Sequence, residues 1–111
     1  MNEANAVYMV RFWIKPGGEQ KVLDWLDKGH IADVVGQPGF LWARRFRLDG
    51  TDDDGWAAHA MIYGLESLGH LHAYMDSDAA RGYAEERETL GLAPLLRMDR
   101  CWGEVEYAVD A

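Results

Sequence analysis

At 111 residues and 49% apolar content, the chain has the size of one domain and enough apolar side chains for one core. Its net charge of −8, from 19 acidic against 11 basic residues, argues against a phosphate backbone as partner. One cysteine, Cys101, rules out an intrachain disulfide and a cysteine-based zinc cluster.

No apolar run approaches the roughly 20 residues that span a bilayer. The opening MNEANAVYMV lacks the basic start of a signal peptide, so a cytoplasmic protein with no membrane partner is expected. Residues 1–5 read as a flexible polar tail, and the whole of 1–111 as a single domain. Ala6–Lys15 reads as a strand rich in β-formers, with Tyr8, Val10, Phe12 and Ile14 on one face and Met9, Arg11 and Trp13 on the other. Pro16-Gly17-Gly18 ends it. Glu19–Val35 has helical spacing, with Leu23, Leu26, His30 and Val34 in one stripe and Trp25 at its edge. Gly36 and Pro38 stop it.

A second strand covers Phe40–Leu48, with Phe40, Trp42, Arg44 and Phe46 alternating against Leu41, Ala43, Arg45 and Arg47. Asp49–Gly55 is an acidic turn whose spacing departs from a calcium loop and suits a solvated hairpin. Ala57, His59, Met61, Tyr63 and Leu65 then line one face of a third strand, and Trp56, Ala58, Ala60 and Ile62 the other. Ser67 caps a helix carrying Leu68, Leu71 and Met75, and Ser77 caps another over about Asp78–Thr89. Arg97–Ala108 is the last strand.

The order β-α-β-β-α-β predicts an α+β, ferredoxin-like fold: a four-stranded antiparallel sheet with its helices on one face. Strands one and three are apolar on both faces. Face-to-face packing of two copies, as a homodimer, is therefore expected to cover the other side.

On this pattern the chain resembles the dimeric α+β barrel superfamily. That superfamily includes antibiotic-biosynthesis monooxygenases, haem-degrading enzymes, ethyl-tert-butyl-ether-degradation proteins and stress-responsive A/B barrel proteins, among them a plant polyketide cyclase. The carriers are Lys15-Pro16-Gly17 after the first strand, Pro38-Gly39-Phe40, Leu65-Glu66-Ser67, Tyr74 and Ser77-Asp78. The resemblance implies a pocket between helices and sheet, with Tyr8, Val10, Phe12, His30, His59, Met61 and Tyr63 facing it. Tyr74 matches the cyclase's catalytic tyrosine, while Ala80 stands where its histidine partner would. Ala84 stands where the haem-degrading branch has its iron ligand. The quinone-forming monooxygenases carry a Trp where this chain has Tyr74.

His30 and His59 each interrupt an apolar row, and a histidine in a dry pocket exchanges protons near neutral pH. With Tyr63 and Tyr74 as oxygen-polarising hydroxyls, these four are the candidate catalytic residues. Candidate substrate contacts are Tyr8, Val10, Phe12, Trp25, Met61, His72 and Trp102. His70 and His72 lie two apart on a helix, the wrong spacing for a metal pair, and no metal is expected. Arg44 and Arg45 point to opposite faces; each is a candidate carboxylate contact, with a surface or interface role weighing more. The expected function is cofactor-free acid–base catalysis of cyclase, isomerase or lyase type on a hydrophobic aromatic carbonyl or phenol. The alternatives are a non-catalytic binder of such a ligand and a cofactor-free monooxygenase.

Overall fold

The computed structural model describes residues 3–111. Its elements are β1 (Ala6–Ile14), α1 (Glu19–Trp25), a π-helical turn (Leu26–His30), α2 (Ile31–Val35), β2 (Phe40–Thr51), β3 (Ala57–Leu65), α3 (Leu68–Met75), α4 (Asp78–Thr89), a 3₁₀ turn (Ala93–Leu95) and β4 (Leu96–Glu104). The strands form one antiparallel sheet in the order β2-β3-β1-β4, the ferredoxin-like arrangement expected. The expected tail lies partly outside the described residues. Within them Asn5 is fixed: its N–H donates to the Leu65 carbonyl at 2.9 Å, and its own carbonyl accepts from Val105 at 2.8 Å.

The core lies between the helices and one sheet face. Tyr8, Phe12 and Ile14 of β1 and Met61, Tyr63 and Leu65 of β3 pack there against Val22, Leu26, Val34 and Leu71. Ser67 Oγ accepts from the His70 N–H at 3.1 Å, and Ser77 Oγ from the Ala80 N–H at 3.2 Å, so both serines cap their helices as expected. Gly39 joins α2 to β2 with φ +85°, and a Cβ there would stand 2.3 Å from the His70 ring. Only glycine serves both needs.

Four local features depart from the sequence reading. The helix over 19–35 is kinked at Gly29, where φ reaches 176°, through the π-helical turn. A bulge between Phe40 and Trp42 puts Phe40 on the helix-bearing face and Trp42, Arg44 and Phe46 on the other, so the four do not share a face. β2 runs on to Thr51. β4 stops at Glu104, and Tyr107 and Val109 beyond it stand exposed. The acidic turn is closed internally: the Asp52 carboxylate accepts from the N–H groups of Asp54 and Trp56, both at 2.9 Å, and Arg97 bridges Asp52 and Asp54 at 2.7 and 2.8 Å.

The helix-free face carries Met9, Trp13, Trp42, Phe46, Ala58, Ala60 and Ile62. Arg11 crosses it to Asp99 at 2.7 Å and stacks on Trp13. Trp42 lies flat over Gly64, where a Cβ would come within 2.3 Å of the indole.

Candidate active site

A cavity of about 390 Å³ opens between the helices and the core face of the sheet. Tyr8, Val10 and Phe12 of β1 and Met61 and Tyr63 of β3 form its floor. They are alternate residues on adjacent paired strands, which is why five of the expected positions meet there. Trp25 and His30 come from the kinked helix and Tyr74 from α3. α4 closes the fourth side with Ala80, Tyr83, Ala84 and Arg87, an i, i+3, i+4, i+7 face. The two alanines leave the space that larger side chains would fill.

His30 is held by aromatic rings. Its imidazole stacks on Trp25 at 4.0 Å and meets the edge of Tyr83 at 4.7 Å. Trp25 is itself fixed by an indole N–H donated to Glu86. Burial, helped by the nearby Arg87 charge, drops the pKa of His30 to about 4. The ring is therefore neutral at neutral pH. Its Nδ1 is buried and makes no hydrogen bond among the described residues.

The tyrosines are held protonated. Tyr63 stacks on Tyr8 at 5.9 Å, and the Phe40 ring meets both Tyr63 and Tyr74 edge-on, at 5.6 and 5.0 Å. Burial pushes the phenol pKa values of Tyr63 and Tyr74 well up, with neighbouring tyrosines adding to it. A protonated phenol can donate a hydrogen bond to an oxygen placed beside it.

Three expected residues lie elsewhere. His59 is buried at 6% exposure and stacks on its cross-strand partner Phe12 at 5.2 Å, but it does not line the cavity. It stands four residues from Tyr63, about 13 Å along the strand. Burial lowers its pKa as well. His72 is exposed on α3, and Trp102, 44% exposed, meets the Tyr8 ring edge-on at 6.3 Å without lining the cavity. Arg45 pairs with Asp27, and Arg44 lies by Trp42 on the helix-free face.

Several wall residues escaped the sequence reading: Met98 and Arg100 of β4, and Tyr83 and Arg87 of α4. Arg87 passes over the Trp25 ring at 5.8 Å, and burial and Arg100 both disfavour its charge. Arg100 faces the Tyr8 hydroxyl and offsets part of the rise that burial gives that phenol. Among the described residues no group of three His, Cys, Asp or Glu side chains gathers as a metal site, and no helix is long and apolar enough to cross a membrane.

A family model described as a domain of unknown function, DUF4286, matches residues 5–90. No curated protein matches the chain. Among solved structures, the chain is similar to the monooxygenase ActVA-Orf6 of Streptomyces coelicolor, in complex with nanaomycin D. The TM-score is 0.64 at 21% identity, covering 97% of this chain and 93% of that one. SnoaB, a cofactor-independent oxygenase from Streptomyces nogalater, matches with TM-score 0.61 at 14% identity over 98% and 100%. A dimeric ferredoxin-like protein from an uncultured marine organism gives TM-score 0.68 at 13% identity over 96% and 100%. The shared fold is the ferredoxin-like α+β fold.

Proposed function

The chain belongs to the DUF4286 family, and from the chemistry of its cavity we propose that it is a small cofactor-independent enzyme acting by proton transfer on a hydrophobic aromatic carbonyl or phenol. The observation that carries this reading is the neutral His30 imidazole, its Nδ1 buried and without a hydrogen bond among the described residues, in the same cavity as the protonated Tyr63 and Tyr74. Aromatic walls from Tyr8, Phe12 and Trp25 suit a flat ring.

In the proposed step His30 takes a proton from an acidic O–H or C–H of the ligand. The electron pair moves onto the adjoining carbonyl oxygen, which a tyrosine hydroxyl holds as it gains charge. The imidazolium then returns the proton at another atom, completing an isomerisation or ring closure with no net redox change. A pKa near 4 makes free His30 a weak base. Charge developing on the ligand raises that pKa by countering both burial and Arg87. His59, outside the cavity, takes no part.

A second reading is favoured by the oxygenases among the structural neighbours. There the same proton removal yields a carbanion that adds to dioxygen; the O–O bond then breaks, the ligand's CH2 carbon is oxidised to a carbonyl and the second oxygen leaves as water.

Turnover of a panel of aromatic ketones and phenols, followed by mass spectrometry with an oxygen electrode alongside, tests both. Product without oxygen uptake is expected, with kcat falling at least about 100-fold in His30→Gln. Full turnover in that variant, or a ligand returned unchanged, overturns the acid–base reading. Stoichiometric oxygen uptake moves it to the second.

A further inference from the structure

One end of the cavity brings two guanidiniums together, and neither forms an ion pair among the described residues. We propose that this end, formed by Arg87 of α4 and Arg100 of β4, holds a carboxylate of the ligand, so that the protein selects flat aromatic acids over their neutral analogues. This rests on the reading above for the aromatic character of the ligand. It adds a second, non-reacting group and its place.

The pairing pattern is the first support. Arg11, Arg45, Arg81 and Arg97 each face an aspartate: Asp99, Asp27, Asp78 and the Asp52–Asp54 pair. Arg87 and Arg100 both line the cavity, and neither forms an ion pair among the described residues. Glu86, next to Arg87, favours its charge but turns its carboxylate to the Trp25 indole N–H rather than to the guanidinium.

Their mutual placement is the second support. The two arginines come from different elements, are close enough to repel each other, and both act on the hydroxyls of Tyr8 and Tyr74. Arg87 is half-buried against Trp25, where a lone charge is poorly solvated. A bound carboxylate removes both penalties and accepts paired N–H donors from planar guanidiniums, a geometry a neutral amide matches poorly. The ring attached to it then lies over Tyr8 and Tyr63, toward His30. Arg81, also at the cavity, is committed to Asp78 and adds little.

Calorimetric titration with 2-naphthoate and 2-naphthamide tests the inference on the wild type and on Arg87→Gln and Arg100→Gln, each checked for folding by thermal melting. Naphthoate is expected to bind about 10- to 100-fold more tightly than the amide. That preference should shrink in each variant, and rising salt should weaken only the acid. Equal binding of acid and amide, a preference intact in both folded variants, or no binding of either overturns it. Turnover of neutral ketones without any acid preference removes this inference and keeps the enzymatic reading. Acid preference without turnover of any panel compound does the reverse.

Discussion

His30 gives a titration signature that does not depend on knowing the substrate. Its pKa stands near 4 in the folded chain against 6.5 as its ordinary value. Between those values the unfolded chain binds more protons, so folding stability falls as pH drops from about 6.5 toward 4. His59, also pushed down by burial, contributes in the same direction. Urea melts of the wild type across pH 4 to 7 should show this loss, and His30→Gln should show a shallower slope. Equal slopes would mean that the imidazole is as hydrated as in the open chain. His30 and Tyr63 were legible because a polar group on an apolar row stands out, and Tyr74 through the family resemblance. Arg87 sits in the polar run EERET and Arg100 in the mixed strand RMDRCWGE, and there a cavity-facing guanidinium looks like any solvated one. His59 misled in the opposite sense: it shares a face with Tyr63, but alternation alone does not reveal that Phe12 would stack across it.

Among the elements, α4 is the cover of the cavity and the least anchored part of its wall. None of its residues is buried. It is held by the Ser77 cap, by Tyr83 against His30, and by Glu86 and Arg87 on Trp25. Such an element opens without global unfolding. Ser77→Ala removes a cap worth about 1 kcal/mol, which corresponds to roughly fivefold faster exchange of the α4 amides. Hydrogen exchange read by mass spectrometry should show that acceleration in 78–89 and little change in β1 and β3. A uniform change across the chain would mean that α4 unfolds only with the rest. The caps at Ser67 and Ser77 and the strand rows were readable in advance, because each is a local pattern. The Gly29 kink and the Phe40–Trp42 bulge were not. Each changes which face a side chain takes without breaking the periodicity on either side of it.

For the molecule as a whole, the two faces of the sheet are unequal. One is covered by helices, while the other presents Met9, Trp13, Trp42, Phe46 and Ile62. The edges are poor sites for strand addition: β2 carries Arg44, Arg45 and Arg47, and β4 carries Arg97, Asp99 and Arg100, charges that discourage edge pairing. Three strands of nine residues and one of twelve span about 19 by 30 Å or more, a footprint on the scale of the roughly 800 Å² per partner of a standard interface once side-chain relief is counted. The alternating Val105, Tyr107 and Val109 beyond β4 stand exposed on the single subunit as well, and a second copy offers them cover. The chain is therefore expected to sediment at twice 12.6 kDa at low micromolar concentration. Two arginines of this face are already turned onto aspartates, Arg11 to Asp99 and Arg97 to Asp52 and Asp54, and Arg44 lies over Trp42, so the contact is largely apolar in character. Its strength should hold or rise in 1 M salt, where an ionic contact would weaken. Ile62→Lys places a charge in the middle of the face, opposite Met9, and should return the single-chain mass with β-sheet circular dichroism intact. A wild-type chain that sediments as a monomer, or a dimer indifferent to that lysine, would mean that the aromatic face is covered in another way.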